Sequence, residues 1–187
     1  MQLVTILSAL VATALATPLA LPKSGADPNW KPNPGTAVTC DTKTDKVLGL
    51  YVGPQMETII NQACAAMMPD CAFPDKHPNI FCTLSIDYKL DSPKSSIQDA
   101  NVQEGAGQKL PNWDAKLAVY PPEHPENPAG VFWTVKDCYG YFAQLLTNWV
   151  DQGGCHTNAG FGLGNITAGA GNSLEGTVFE VSVVPTP

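Results

Sequence analysis

Apolar and polar residues follow two rhythms along the chain. Met56, Ile59, Ile60, Ala63 and Met67 recur at the steps of one helical face. Gly53-Pro54 precedes that stretch, with Pro54 suited to the first helical position, and Pro69 closes it. A second stripe comprises Cys138, Phe142, Leu145, Leu146 and Trp149. Thr134, followed three residues later by Asp137, predicts a capping box at its start, with a shorter acid than usual. Its end is expected near Asp151-Gln152-Gly153-Gly154, where glycine supplies the left-handed cap.

Strands show a period of two. Residues 79–90 are the clearest case: Ile80, Cys82, Leu84, Ile86, Tyr88 and Leu90 fall on one side, and Thr83, Ser85, Asp87 and Lys89 on the other. Further strands are expected at 46–52, at 131–134 and at 176–184, where Thr177, Phe179, Val181 and Val183 face one way. Residues 91–128 read as a long loop rich in Pro and Gly, holding at most a short strand at 116–120. The predicted order is β-α-β, loop, β-α-β. That is an α+β fold of the split βαβ type, with two helices on one face of an antiparallel sheet. Right-handed crossovers bring the end of the first helix beside the start of the second, which allows a Cys64–Cys138 bridge. Cys82 competes for the same partner. A Cys138–Cys155 bridge is disfavoured: a 13-residue helix runs about 20 Å, and four extended residues return only about 13 Å.

The chain's address changes this picture. Residues 3–15 are an apolar run too short to cross a bilayer. Small residues follow, so 1–20 read as a signal peptide cleaved after Ala16 or Ala20. Residues 21–38 read as an extended N-terminal arm, and 39–187 as a single domain without a membrane span. The expected location is extracellular. Six cysteines, Cys40, Cys64, Cys71, Cys82, Cys138 and Cys155, then predict three disulfides. Their spacing lacks the close pairs of a zinc site, so no metal is expected. Asn165-Ile166-Thr167 is a glycosylation sequon.

Composition narrows the functions. The 187 residues carry 17 acidic and 10 basic side chains, a net charge of −7, and every base is lysine. Nucleic acid is not an expected partner, and the side chain best suited to bidentate phosphate grips is missing. His77, His124 and His156 lack metal-pair spacing, and there is no G-x-S-x-G elbow. The run Gly160-Phe161-Gly162-Leu163-Gly164 lacks the Lys-Ser/Thr and helix of a phosphate loop. No cofactor is expected. Asp114 and Glu175 are the carboxylates to weigh as a glycosidase pair. Trp113, between Asn112 and Asp114, is the candidate contact residue for a sugar ring or a partner's pocket.

The stretch Asp137-Cys138-Tyr139 through Gly153-Gly154-Cys155 and Gly164-Asn165, with Cys64 and Cys138 on the two helices, resembles small secreted cysteine-rich proteins of filamentous fungi. The families are the killer-toxin-like effectors and the necrosis-inducing extracellular effectors, and the 91–128 insertion departs from their compact form. The resemblance implies an extracellular protein acting on hosts or competitors, with no enzymatic residues to carry over. The expectation is a secreted binding protein whose partner is a host or competitor protein or a cell-wall glycan. The alternatives are a polysaccharide hydrolase and a structural wall protein.

Overall fold

A computed structural model describes residues 27–49, 53–82, 87–105, 107–125 and 128–186. The predicted signal peptide and both its cleavage points lie outside the described residues. The chain runs β1 (Ala37–Cys40), β2 (Lys46–Leu48), α1 (Met56–Met67), a 3-10 turn (Asp70–Ala72), β3 (Tyr88–Lys89), β4 (Lys94–Gln98), β5 (Val102–Glu104), β6 (Trp113–Tyr120) and β7 (Phe132–Trp133). It continues through α2 (Val135–Thr147), a second 3-10 turn (Val150–Gln152), β8 (His156–Thr157), β9 (Gly160–Phe161), β10 (Gly164–Thr167) and β11 (Val178–Pro185). The class is α+β, with more strands than the four expected.

The main sheet has the order β1-β10-β11-β6-β4 and is antiparallel throughout. The strands β5-β2-β9-β8 form a second sheet, and β3 pairs with β7. Alternation sends Leu117, Val119, Ile166, Phe179 and Val181 inward, all buried. The α1 helix packs on β4, and α2 on β10 and β11. The Phe179 ring stacks on Tyr141 at 4.6 Å and meets Phe142 edge-on at 5.5 Å. The expected α1 stripe is buried in full, although the helix starts at Met56, two residues after Pro54. No helix among the described residues is long and apolar enough to cross a membrane.

All six cysteines pair: Cys40–Cys155, Cys64–Cys138 and Cys71–Cys82. The helix-to-helix bridge is the one the crossover geometry allowed. The loops they close, 115, 74 and 11 residues long, are worth about 5, 4 and 3 kcal/mol in lost unfolded-chain entropy.

Three expectations need correction. Residues 79–82 form no strand, 83–86 lie outside the described residues, and only Tyr88–Lys89 pairs in a ladder. The Cys71–Cys82 bridge ties that stretch back to the first 3-10 turn, which leaves Ile80 and Phe81 exposed. Residues 91–128 hold β4, β5 and the eight-residue β6 at the heart of the main sheet. Their pattern is faint because β4 (KSSIQ) is a polar edge strand. Finally, α2 stops at Thr147, so Trp149 is exposed and stands outside the helical stripe. There the chain folds back: Cys155 N–H donates to the Leu145 carbonyl at 2.7 Å, and His156 N–H to Asn148 at 3.0 Å. A Cβ at Gly154 would strike the Gln144 and Asn148 carbonyl oxygens.

Candidate functional site

The site grows from the first turn of α2. Thr134 accepts the Asp137 N–H at 3.0 Å, and Asp137 Oδ2 accepts the Thr134 N–H at 3.0 Å, closing the predicted capping box. The other carboxylate oxygen, Oδ1, accepts the Trp30 indole N–H at 3.1 Å. One side chain therefore both caps the helix and holds the N-terminal arm. Lys136 adds a 2.7 Å ion pair to Asp27. The Lys136 ammonium first, and the Asn29 amide second, hold the Asp27 carboxyl below the usual carboxylate value.

Trp30 lies against α2 where residue 140 is glycine. A Cβ there would run into the indole ring carbons, so Gly140 is the slot that admits the ring. Tyr141 meets Trp30 edge-on at 4.9 Å, and its hydroxyl accepts the Asn33 N–H at 3.4 Å. Burial raises the Tyr141 hydroxyl above its ordinary value. The arm expected as merely extended is thus tied to α2 by ring packing, hydrogen bonds and an ion pair, before 37–40 join the main sheet as β1.

Arm and helix together enclose an open groove of about 580 Å³, within the size range of ligand sites. Asp27, Pro28, Trp30 and Pro32 form one wall. Tyr139, Ala143, Gln144 and Thr147 form the other, with Asn148 and Gln152 at its far end. Gln144 Nε2 donates to the Gly153 carbonyl at 3.2 Å, while its enclosed Oε1 has no hydrogen-bond partner. Among the described residues the groove offers rings, prolines and neutral amides, and its one charged group is already paired.

The residues singled out by sequence are scattered. Trp113 begins β6 and does not tip a loop; it is half-buried against the core, with the Lys46 ammonium 5.1 Å over its ring. Asn165 lies on β10 between Thr39 and Glu180, half-exposed and facing away from the buried Ile166. Asp114 pairs with Val184, at the opposite end of the β6–β11 ladder from Glu175. Six residues of strand separate them, about 20 Å, too far for a glycosidase pair. His77 sits 3.8 Å from Asp70, and His124 is exposed. His156 stacks between Trp149 at 4.2 Å and Phe161 at 5.1 Å. Among the described residues no cluster of three or more His, Cys, Asp or Glu could hold a metal. The glycines of 160–164 serve close packing: a Cβ at Gly162 would strike the Cys155 carbonyl, and one at Gly164 that of Thr39. Trp30 and Gly140 escaped sequence reading; the only signal was a tryptophan inside an otherwise polar arm.

Compared with known proteins, the chain matches no family model, no curated protein and no solved structure.

Proposed function

We propose that this is a secreted binding protein of the effector or toxin-like kind, acting at a host or competitor surface. The observation that carries the reading is the groove between the arm and α2. It is a formed concavity with an aromatic ring in each wall and carboxamides toward its far end. Its carboxylate, Asp27, is committed to Lys136, so among the described residues the groove lining can hold a ligand but offers no free acid and base pair to turn it over. Three disulfides suit the oxidising compartment in which such a protein works. Within the same reading Asn165 carries an N-glycan on the face of the main sheet opposite the buried Ile166.

The test is adhesion of the purified mature protein to intact host or competitor cells, alongside its effect on them. Wild type binds and acts. Gly140→Ala, which blocks the Trp30 slot, loses both while keeping its three disulfides. Retention of both by Gly140→Ala would remove the groove from the account, and an absence of adhesion in the wild type would remove the reading itself. Endoglycosidase treatment lowers the mass of the secreted protein, and Asn165→Gln abolishes that change.

A further inference from the structure

We propose that the groove on α2 takes a neutral, extended glycan chain. This rests on the reading of that groove as the recognition surface, and names its ligand class. The first ground is shape. One face of α2 from Tyr139 to Thr147 lines the groove, a span of about 12 Å, which suits a chain of sugar rings better than a single small molecule.

The second ground is chemistry. A sugar ring has an apolar C–H face and an equatorial rim of hydroxyls. Trp30 and Tyr139 supply flat apolar surface for the face. Gln144 of α2, Asn148 just past its end and Gln152 in the second 3-10 turn bring three carboxamides to the lining, with the Thr147 hydroxyl, which donates to the Ala143 carbonyl at 2.6 Å, free to accept. A carboxamide both donates and accepts, as a pair of neighbouring hydroxyls requires. Asn148 is half-buried and Gln152 exposed, whereas the Gln144 carboxamide is turned to Gly153, its Nε2 donating at 3.2 Å and its Oε1 enclosed. The third ground is charge. Asp27 is the one charged side chain lining the groove among the described residues, and its 2.7 Å pair with Lys136 offers nothing to an acidic polymer. A polyproline peptide also docks on aromatic grooves, but it would use the rings and leave the Asn148 and Gln152 carboxamides idle. The sugar chain engages both.

The mature protein is titrated calorimetrically with chitohexaose, cellohexaose and laminarihexaose, and in parallel with polygalacturonate and a decaproline peptide. At least one neutral oligosaccharide binds, with little change on added salt. Trp30→Ala weakens it by about tenfold or more, the loss of a stacking anchor. Gln152→Ala, at an exposed position that spares the fold, weakens it severalfold. Binding of polygalacturonate or decaproline in place of the neutral chains overturns the proposal. So does neutral-chain binding that both variants leave unchanged. If no neutral chain binds while the wild type still adheres to intact cells through Trp30, the ligand class is wrong and the groove stands. Loss of adhesion as well would sink the reading beneath it.

Discussion

At the scale of the residue, the protein turns on a glycine where helix chemistry favours alanine. Gly140 lies inside α2, where alanine would be preferred by about 1 kcal/mol. The indole of Trp30 occupies the space a methyl group would take. Gly140→Ala should therefore leave α2 as stable or more so while unseating the arm. Amide hydrogen exchange quickens across residues 27–36 and is unchanged or slower across 141–147. If both segments slowed together, the slot would have no role. Tyr141 gives a second prediction. Burial raises its hydroxyl above the ordinary 10.0, so the unfolded chain releases that proton at lower pH than the folded one. The stability this group contributes is complete below pH 10 and is lost as pH rises through the folded value. Tyr141→Phe should remove that part of the alkaline loss, read as a shallower fall of urea midpoints above pH 10. The Thr134–Asp137 box was legible at this scale because its chemistry is local, carried by two residues three apart. The Gly140 slot was not, because its partner stands 110 positions earlier in the chain.

At the scale of the element, legibility followed the strength of the amphipathic pattern and the freedom of the chain to obey it. The α1 stripe appears in the fold as read, since a helix face buried on a sheet needs every third or fourth position apolar. Residues 79–90 carried a strand's alternation, but the Cys71–Cys82 bridge holds their first part at a 3-10 turn. A disulfide pairing is invisible to periodicity. Conversely, β4 and β5 are short strands whose polar residues hid their membership of the sheets. Trp149 fell on the α2 stripe by spacing, yet the helix ends two residues before it, because Gly154 and Cys155 fold back onto its last carbonyls. The helix start yields a graded prediction. Thr134→Ala removes one cap and costs about 1 kcal/mol. Asp137→Ala removes its half of the box and the Trp30 hydrogen bond together, and costs about 2 kcal/mol. Urea unfolding of the two variants measures the difference, and equal losses would mean that the indole bond adds nothing.

At the scale of the whole molecule, the long bridges and the arm act on one body. Cys40–Cys155 ties the first strand of the main sheet to the turn after α2, and Cys64–Cys138 ties the two helices. The α2 wall of the groove is therefore cross-linked near its start through Cys138 and just past its end through Cys155, and the arm wall, residues 27–32, rests on noncovalent contacts. That places recognition at the least constrained edge of a heavily braced fold, where a ligand can add contacts without disturbing the core. The net charge of −7 does not gather in this groove: among the described lining residues Asp27 is the one carboxylate, and it is paired with Lys136. The central claim is that the surface joined by Trp30 and Gly140 receives the ligand. It is tested most directly by amide chemical shifts of the isotopically labelled protein during titration with a neutral cell-wall oligosaccharide. Shifts confined to residues 27–32 and 139–152, and lost in Gly140→Ala, are the expected result. Shifts centred on the exposed Phe81 loop or on Trp113, with the groove silent, would contradict it.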